Sequence, residues 1–289
     1  MYNPFAQMLA CLSNEHPTSG SSRARPAERN IPMKKIVLAL FVFAAAAFAQ
    51  SPFDGTWVSD QAAAQFDKKP HTYVLNKGMY TCSTCVPKIS VKADGKDQAV
   101  SGSNYFNTVA IREVDANTTE EVDKKDGKPM YKDVMTASAD GKTLTDKWED
   151  NSEEKPVTGE TIYSRISKGP AGSHATSGSW RMEKIQNITS NGLTVTFQSM
   201  PDGLKFSDTN GASYEAKFDG KDYPLKGDPG NTMVSLKKIS DHTIEETDKR
   251  NGKVVNVGRM MVSPDGKKMT YVGHDKERDR TSTFVLNKK

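Results

Sequence analysis

Glu120-Glu121-Val122-Asp123-Lys124-Lys125-Asp126-Gly127-Lys128 returns 125 positions later as Glu245-Glu246-Thr247-Asp248-Lys249-Arg250-Asn251-Gly252-Lys253. Each stretch ends in Asp-Gly or Asn-Gly, the strongest short-range hairpin signal, because a type I′ turn needs positive φ at both central residues. Outward from this pair, residues 91–150 align with 216–275 without a gap, and 21 of the 60 positions are identical. Two more turns recur with it. Asp94-Gly95-Lys96-Asp97 matches Asp219-Gly220-Lys221-Asp222, and Ser138-Ala139-Asp140-Gly141-Lys142 matches Ser263-Pro264-Asp265-Gly266-Lys267. The chain is a duplication, with a period too long for a solenoid and right for two domains of ordinary size.

The segments between these turns alternate as strands do, for example Thr108–Val114, Leu193–Phe197, Thr232–Ile239, Glu160–Arg165 and Thr281–Leu286. The fold class read from this is all-β: two tandem antiparallel meander barrels of about eight strands each, since closure removes exposed strand edges. One short helix is expected at Gln61–Phe66. The first barrel repeat is placed at 50–168 and the second at 177–289. The small, turn-prone residues 169–176 have linker composition.

Residues 33–49 have the layout of a secretory signal peptide: Lys34 and Lys35, an apolar run from Ile36 to Phe48, and Ala47-Phe48-Ala49 ahead of a cleavage site before Gln50. Residues 1–32, rich in Ser, Pro and Arg, read as an upstream mis-start without structure. The expected product is periplasmic or extracellular, with no stable membrane insertion once the signal is removed, because the apolar run is shorter than the roughly 20 residues a bilayer needs. Much of the +4 formal charge lies in residues 1–49, which carry Arg23, Arg25, Arg29, Lys34 and Lys35 against Glu15 and Glu28. The remainder has 35 basic and 34 acidic residues, a net of +1. That balance gives no electrostatic reason to expect nucleic acid as a partner.

The two copies open alike, with Gly55-Thr56-Trp57 and Gly178-Ser179-Trp180. Gly-x-Trp at the start of a strand-only domain resembles the lipocalin and wider calycin pattern, including uncharacterised exported bacterial proteins. The resemblance implies that Gly55 and Gly178 begin the first barrel strand, that Trp57 and Trp180 plug one barrel end, and that a basic residue near the last strand covers each indole. Arg165 and Arg280 are the matching basic residues. Guanidinium on indole is worth about 0.5–2 kcal/mol.

Few residues suggest chemistry. Cys82-Ser83-Thr84-Cys85 reads as a local disulfide in an oxidising compartment; a redox site or a zinc site are the competing readings, and neither has the surrounding residues it needs. Glu120-Glu121 and Glu245-Glu246 recur, yet neighbours on a strand point to opposite faces, and both pairs read as solvated hairpin residues. His71, His174, His242 and His274 show no metal-ligand spacing and read as solvated. No nucleophile elbow, phosphate loop or calcium loop is present, and no cofactor or metal is called for. The reading is therefore of a non-enzymatic exported protein that holds an apolar or amphipathic small molecule. Trp57, Trp180, Trp148, Met233 and Met260 are the expected barrel-lining residues, methionine suiting an adaptable cavity. The alternative is a cell-envelope structural or interaction module with filled barrels, binding another protein or a glycan; an enzyme of unknown reaction ranks last.

Overall fold

The computed structural model describes residues 51–289. The upstream extension, the signal peptide and the cleavage site lie outside the described residues. The described chain forms strands almost throughout. They are β1 Gly55–Ser59, β2 Gln65–Phe66, β3 His71–Asn76, β4 Met79–Cys82, β5 Ile89–Lys92, β6 Gln98–Ala99, β7 Thr108–Asp115, β8 Thr118–Lys125, β9 Lys128–Ala137, β10 Thr143–Asp150 and β11 Val157–Lys168. The second repeat supplies β12 Gly178–Gln186, β13 Thr194–Met200, β14 Gly203–Asp208, β15 Ser213–Lys217, β16 Tyr223–Pro224, β17 Met233–Ser240, β18 Thr243–Arg250, β19 Lys253–Val262, β20 Lys268–Asp275 and β21 Arg280–Lys288. In place of the expected helix, Gln61–Ala63 make one 3₁₀ turn, capped by Asp60 accepting from the Ala62 amide, and the chain then enters β2. Among the described residues no helix is long and apolar enough to cross a membrane.

Two nearly closed antiparallel barrels result, each of ten strands in its main path rather than eight. The order in one is β5-β4-β3-β12-β11-β10-β9-β8-β7-β6, and in the other β15-β14-β13-β1-β21-β20-β19-β18-β17-β16. Each Gly-x-Trp strand therefore sits in the barrel built by the other repeat. β12 leaves β11 through the 169–177 turn and pairs back onto it, then onto β3. β1 lies between β21 and β13, tying the beginning of the described chain to its end. The folded units are thus a contiguous barrel, residues 71–186, inserted into a split barrel made of β1 and β13–β21. Sequence comparison finds the repeat, but the barrel is the same repeat cut at a different phase.

Turn chemistry explains the register. Asp126-Gly127 and Asn251-Gly252 have positive φ at both positions, at 52° and 82° and at 50° and 76°, as a two-residue hairpin demands. Both hairpins carry a register shift just inside the turn, between Asp123 and Lys124 and between Asp248 and Lys249. At 138–142 and 263–267 only the glycine has positive φ, and the loop is tied by Ser138 donating to Asp140 (2.7 Å) and Ser263 to Asp265 (2.6 Å). A seam joins the barrels. Lys125 Nζ donates to Asn104 O and Pro229 O, and the Arg250 guanidinium lies 4.8 Å from the Tyr105 ring centre.

Candidate functional site

Both Gly-x-Trp tryptophans are core residues. Trp57 and Trp180 are fully buried, and each indole N–H donates to the carbonyl four residues earlier, Phe53 O at 2.8 Å and Thr176 O at 2.9 Å. Arg165 covers Trp180, with its guanidinium 3.8 Å from the ring, and donates to Ser177 O, Ala175 O and Gly141 O. Arg280 does not play this part. It opens β21 and donates to Asp67, Lys69 O and Pro70 O, while Lys288 at the other end of that strand sits 4.9 Å from the Trp57 ring. Register is the reason: in antiparallel pairing, Trp57 lies opposite Lys288 and Trp180 opposite Arg165. Gly55 and Gly178, at φ 120° and 143°, leave room for these covers. Cys82 and Cys85 form a disulfide at the end of β4. These residues are framework.

Strand alternation fills the inserted barrel with acid. On β8 the inward residues are Thr119, Glu121 and Asp123; on β9 Asp133, Met135 and Ala137; on β10 Leu144, Asp146 and Trp148. Glu121, Asp123, Asp133 and Asp146 are all at most 2% exposed. Here the solvated reading of Glu121 and Glu246 is corrected. Glu120 faces water and pairs with Arg112 (2.8 Å) and Lys132 (3.0 Å), but its neighbour turns inward, as does Glu246. Glu121 stands directly across from Asp133, and Asp133 across from Trp148. Both carboxylate oxygens of Glu121 and of Asp133, and Oδ1 of Asp146, have no hydrogen-bond partner among the described residues.

Burial pushes all four carboxyls above the usual range, and for Asp133 the neighbouring Asp146 and Glu121 add to it. Tyr73, Tyr80 and Tyr163 line the same interior; burial raises each hydroxyl, with nearby acids adding to the shift in Tyr73 and Tyr80, and the Tyr73 ring ahead of the acids in Tyr163. The Tyr80 hydroxyl lies close enough to Glu121 to hold its carboxyl down a little, yet outside hydrogen-bond geometry. His71 is buried rather than solvated. It stacks on Tyr73 and meets Tyr163 edge-on, and burial, with Arg280 and Arg278 nearby, lowers it to about 3, so it is neutral.

The split barrel treats the same positions differently. Glu246 and Asp248 correspond to Glu121 and Asp123, and both receive donors: Tyr214 Oη to Glu246 at 2.6 Å, Asn256 Nδ2 to Asp248 at 2.8 Å. Asn256 also donates to Tyr271 Oη at 2.9 Å. Asn256, Gly258 and Tyr271 stand where the inserted barrel has Tyr131, Asp133 and Asp146. Gly258 is required, because a Cβ there would lie 2.4 Å from the Tyr271 hydroxyl. What space is left, lined by Glu246, Met260, Met269 and Tyr271 among others, is a cavity of about 20 Å³, room for about one water.

The five residues read as barrel-lining do not share one site. Trp148 lies beside the acids, its N–H donated to Thr161 at 3.1 Å and its ring packed where Gly159 has no side chain. Met260 lines the small cavity of the other barrel, and Met233 is only half-buried near the seam end of β17. Sequence reasoning missed Tyr73, Tyr80, Asp123, Asp133 and Asp146. The signal was parity: Glu121-x-Asp123 and Asp146-x-Trp148 share the alternation phase of flanking core residues. Among the described residues, no three His, Cys, Asp or Glu side chains are arranged to hold a metal ion. Compared with known proteins, the chain matches no family model, no curated protein and no solved structure.

Proposed function

We propose that this is an exported small-molecule-binding protein, cleaved before Gln50, in which the inserted barrel is the binding compartment and the split barrel is its packed partner. The observation that carries the reading is the contrast between two copies of one ancestor. In one, Glu246 accepts from Tyr214; in the other, Glu121 at the same position has no hydrogen-bond partner among the described residues, nor has Asp133, which the split barrel replaces by Gly258. A buried polar group without a partner costs about 1–3 kcal/mol, more when charged, so a protein that keeps several in one place has a use for them. Similarity of the Gly-x-Trp meander to lipocalins supports a binding role. The inward carboxylates favour a ligand with a polar, hydrogen-bond-donating end over a wholly apolar one.

The second reading, an envelope interaction module with filled barrels, is supported by the one-water cavity of the split barrel. Native against denaturing mass spectrometry on the chain purified from an exporting host separates the two. A non-covalent adduct released on denaturation is the expected result. A bare chain mass, together with no protection of the Glu121–Asp133 region in hydrogen exchange on adding a host-cell small-molecule extract, favours the interaction module.

A further inference from the structure

We infer that the ligand of the inserted barrel is an organic amine, its ammonium held between Glu121, Asp133 and Asp146. This rests on the reading of that barrel as a binding compartment. The three acids come from three successive strands. Glu121 and Asp133 are direct cross-strand partners, which places their Cβ atoms about 4.5–5.5 Å apart, and Asp146 pairs with Met135, two residues along β9 from Asp133. Ionised together, carboxyls so placed would repel one another unless a cation stood among them; without one they keep their protons. No Lys or Arg does so in hydrogen-bonding range, because the oxygens of Glu121 and Asp133 have no partner among the described residues.

A second observation comes from a neutral side chain. Tyr80, 1% exposed, carries a buried hydroxyl without a hydrogen-bond partner, and Glu121 and Asp133 are among its charged neighbours. A cluster of acids alone is satisfied by protons; a hydroxyl left open beside them calls for a ligand with polar atoms of its own. The walls then discriminate among cations. Among the described residues no three such side chains are arranged as ligands at the short distances a metal ion requires. The Trp148 indole stands directly across from Asp133, and the stacked Tyr73 and His71 rings complete an aromatic wall. Aromatic faces beside a carboxylate favour an ammonium group on an organic body. An anion would add a like charge, and a neutral isostere would leave the acids without a counter-charge.

The test is calorimetric titration of the full exported chain at pH 7.5 with tyramine, phenethylamine, cadaverine and spermidine, against 2-phenylethanol, benzoate, calcium and zinc. At least one amine is expected to bind, with its neutral or anionic counterpart about 30-fold weaker or more, as loss of one partner in a buried charge pair predicts. Asp133→Asn weakens that amine by a similar factor. The double variant Asp133→Gly with Asp146→Tyr copies the split barrel and abolishes binding while the chain stays folded by thermal melt. Failure of every amine, equal binding of phenylethanol, or undiminished binding by Asp133→Asn overturns the inference. If mass spectrometry releases a neutral or anionic molecule instead, the amine is wrong and the compartment stands. If neither an adduct nor any probe binds, both fall.

Discussion

Asp133 and Gly258 occupy one position in two copies of one ancestor, and they divide the barrels' chemistry. Gly258 lets Tyr271 cross the interior; Asp133 adds a carboxyl opposite Glu121. The carboxyls of the inserted barrel are raised in the folded state, so folding favours their protonated form. Such groups contribute stability fully below their unfolded pKa of about 4 and lose it as pH climbs through the folded value. For Asp146 that value is about 7, and Glu121 and Asp133 are raised well above their usual range. The ligand-free protein is therefore expected to melt at a lower temperature at pH 8 than at pH 5. Asp133→Asn with Asp146→Asn should flatten that slope and raise the melting temperature at pH 8; a slope unchanged by both substitutions refutes the assignment. None of this was visible to a hydrophobic count. The opposite-face argument for Glu120 and Glu121 was sound, but the polar hairpin around them suggested water on both sides.

At the scale of the strand, β1 and β12 show what a three-residue motif fixes. Glycine is needed at 178 because a Cβ would lie 2.2 Å from Ser167 O in a backbone region that side chains rarely enter. Gly178→Ala is expected to destabilise by about 2–4 kcal/mol, read as a lowered denaturant midpoint. Gly55→Ala should cost less, because the nearest atom, 3.2 Å away, belongs to the flexible Lys288 side chain. The shared Gly-x-Trp motif was legible in sequence, and the structure buries both tryptophans and sets Arg165 over Trp180. Lys288 was not, since the cover is chosen by which residue register sets opposite the tryptophan, and a one-dimensional search preferred the arginine at the wrong end of β21.

For the whole molecule, the duplication and the all-β class were plain in sequence, through Asp-Gly and Asn-Gly turns and alternation. The boundaries of the folded units were not, because a repeat looks the same wherever its cycle is cut; only strand pairing shows that the strands of residues 71–186 pair solely among themselves. A fragment of residues 71–186 is expected to fold alone, with the Cys82–Cys85 bridge and a cooperative melt. Residues 187–289 should do so only when a peptide of residues 51–66 is supplied, seen as a gain of β signal in circular dichroism. Cooperative folding of 187–289 without the peptide would mean that β1 is dispensable.

The pairing of Trp57 with Lys288 also sets a clock. A chain made and delivered N-terminus first produces β1 at the outset, then must carry it through nearly the whole of synthesis before β21 appears. In that interval the nested barrel has already emerged complete and β13 has arrived to pair one side of β1, while its other edge waits open for the last strand. Maturation therefore ends with a single late event, and whatever shields that first strand while it waits controls the yield of the entire protein.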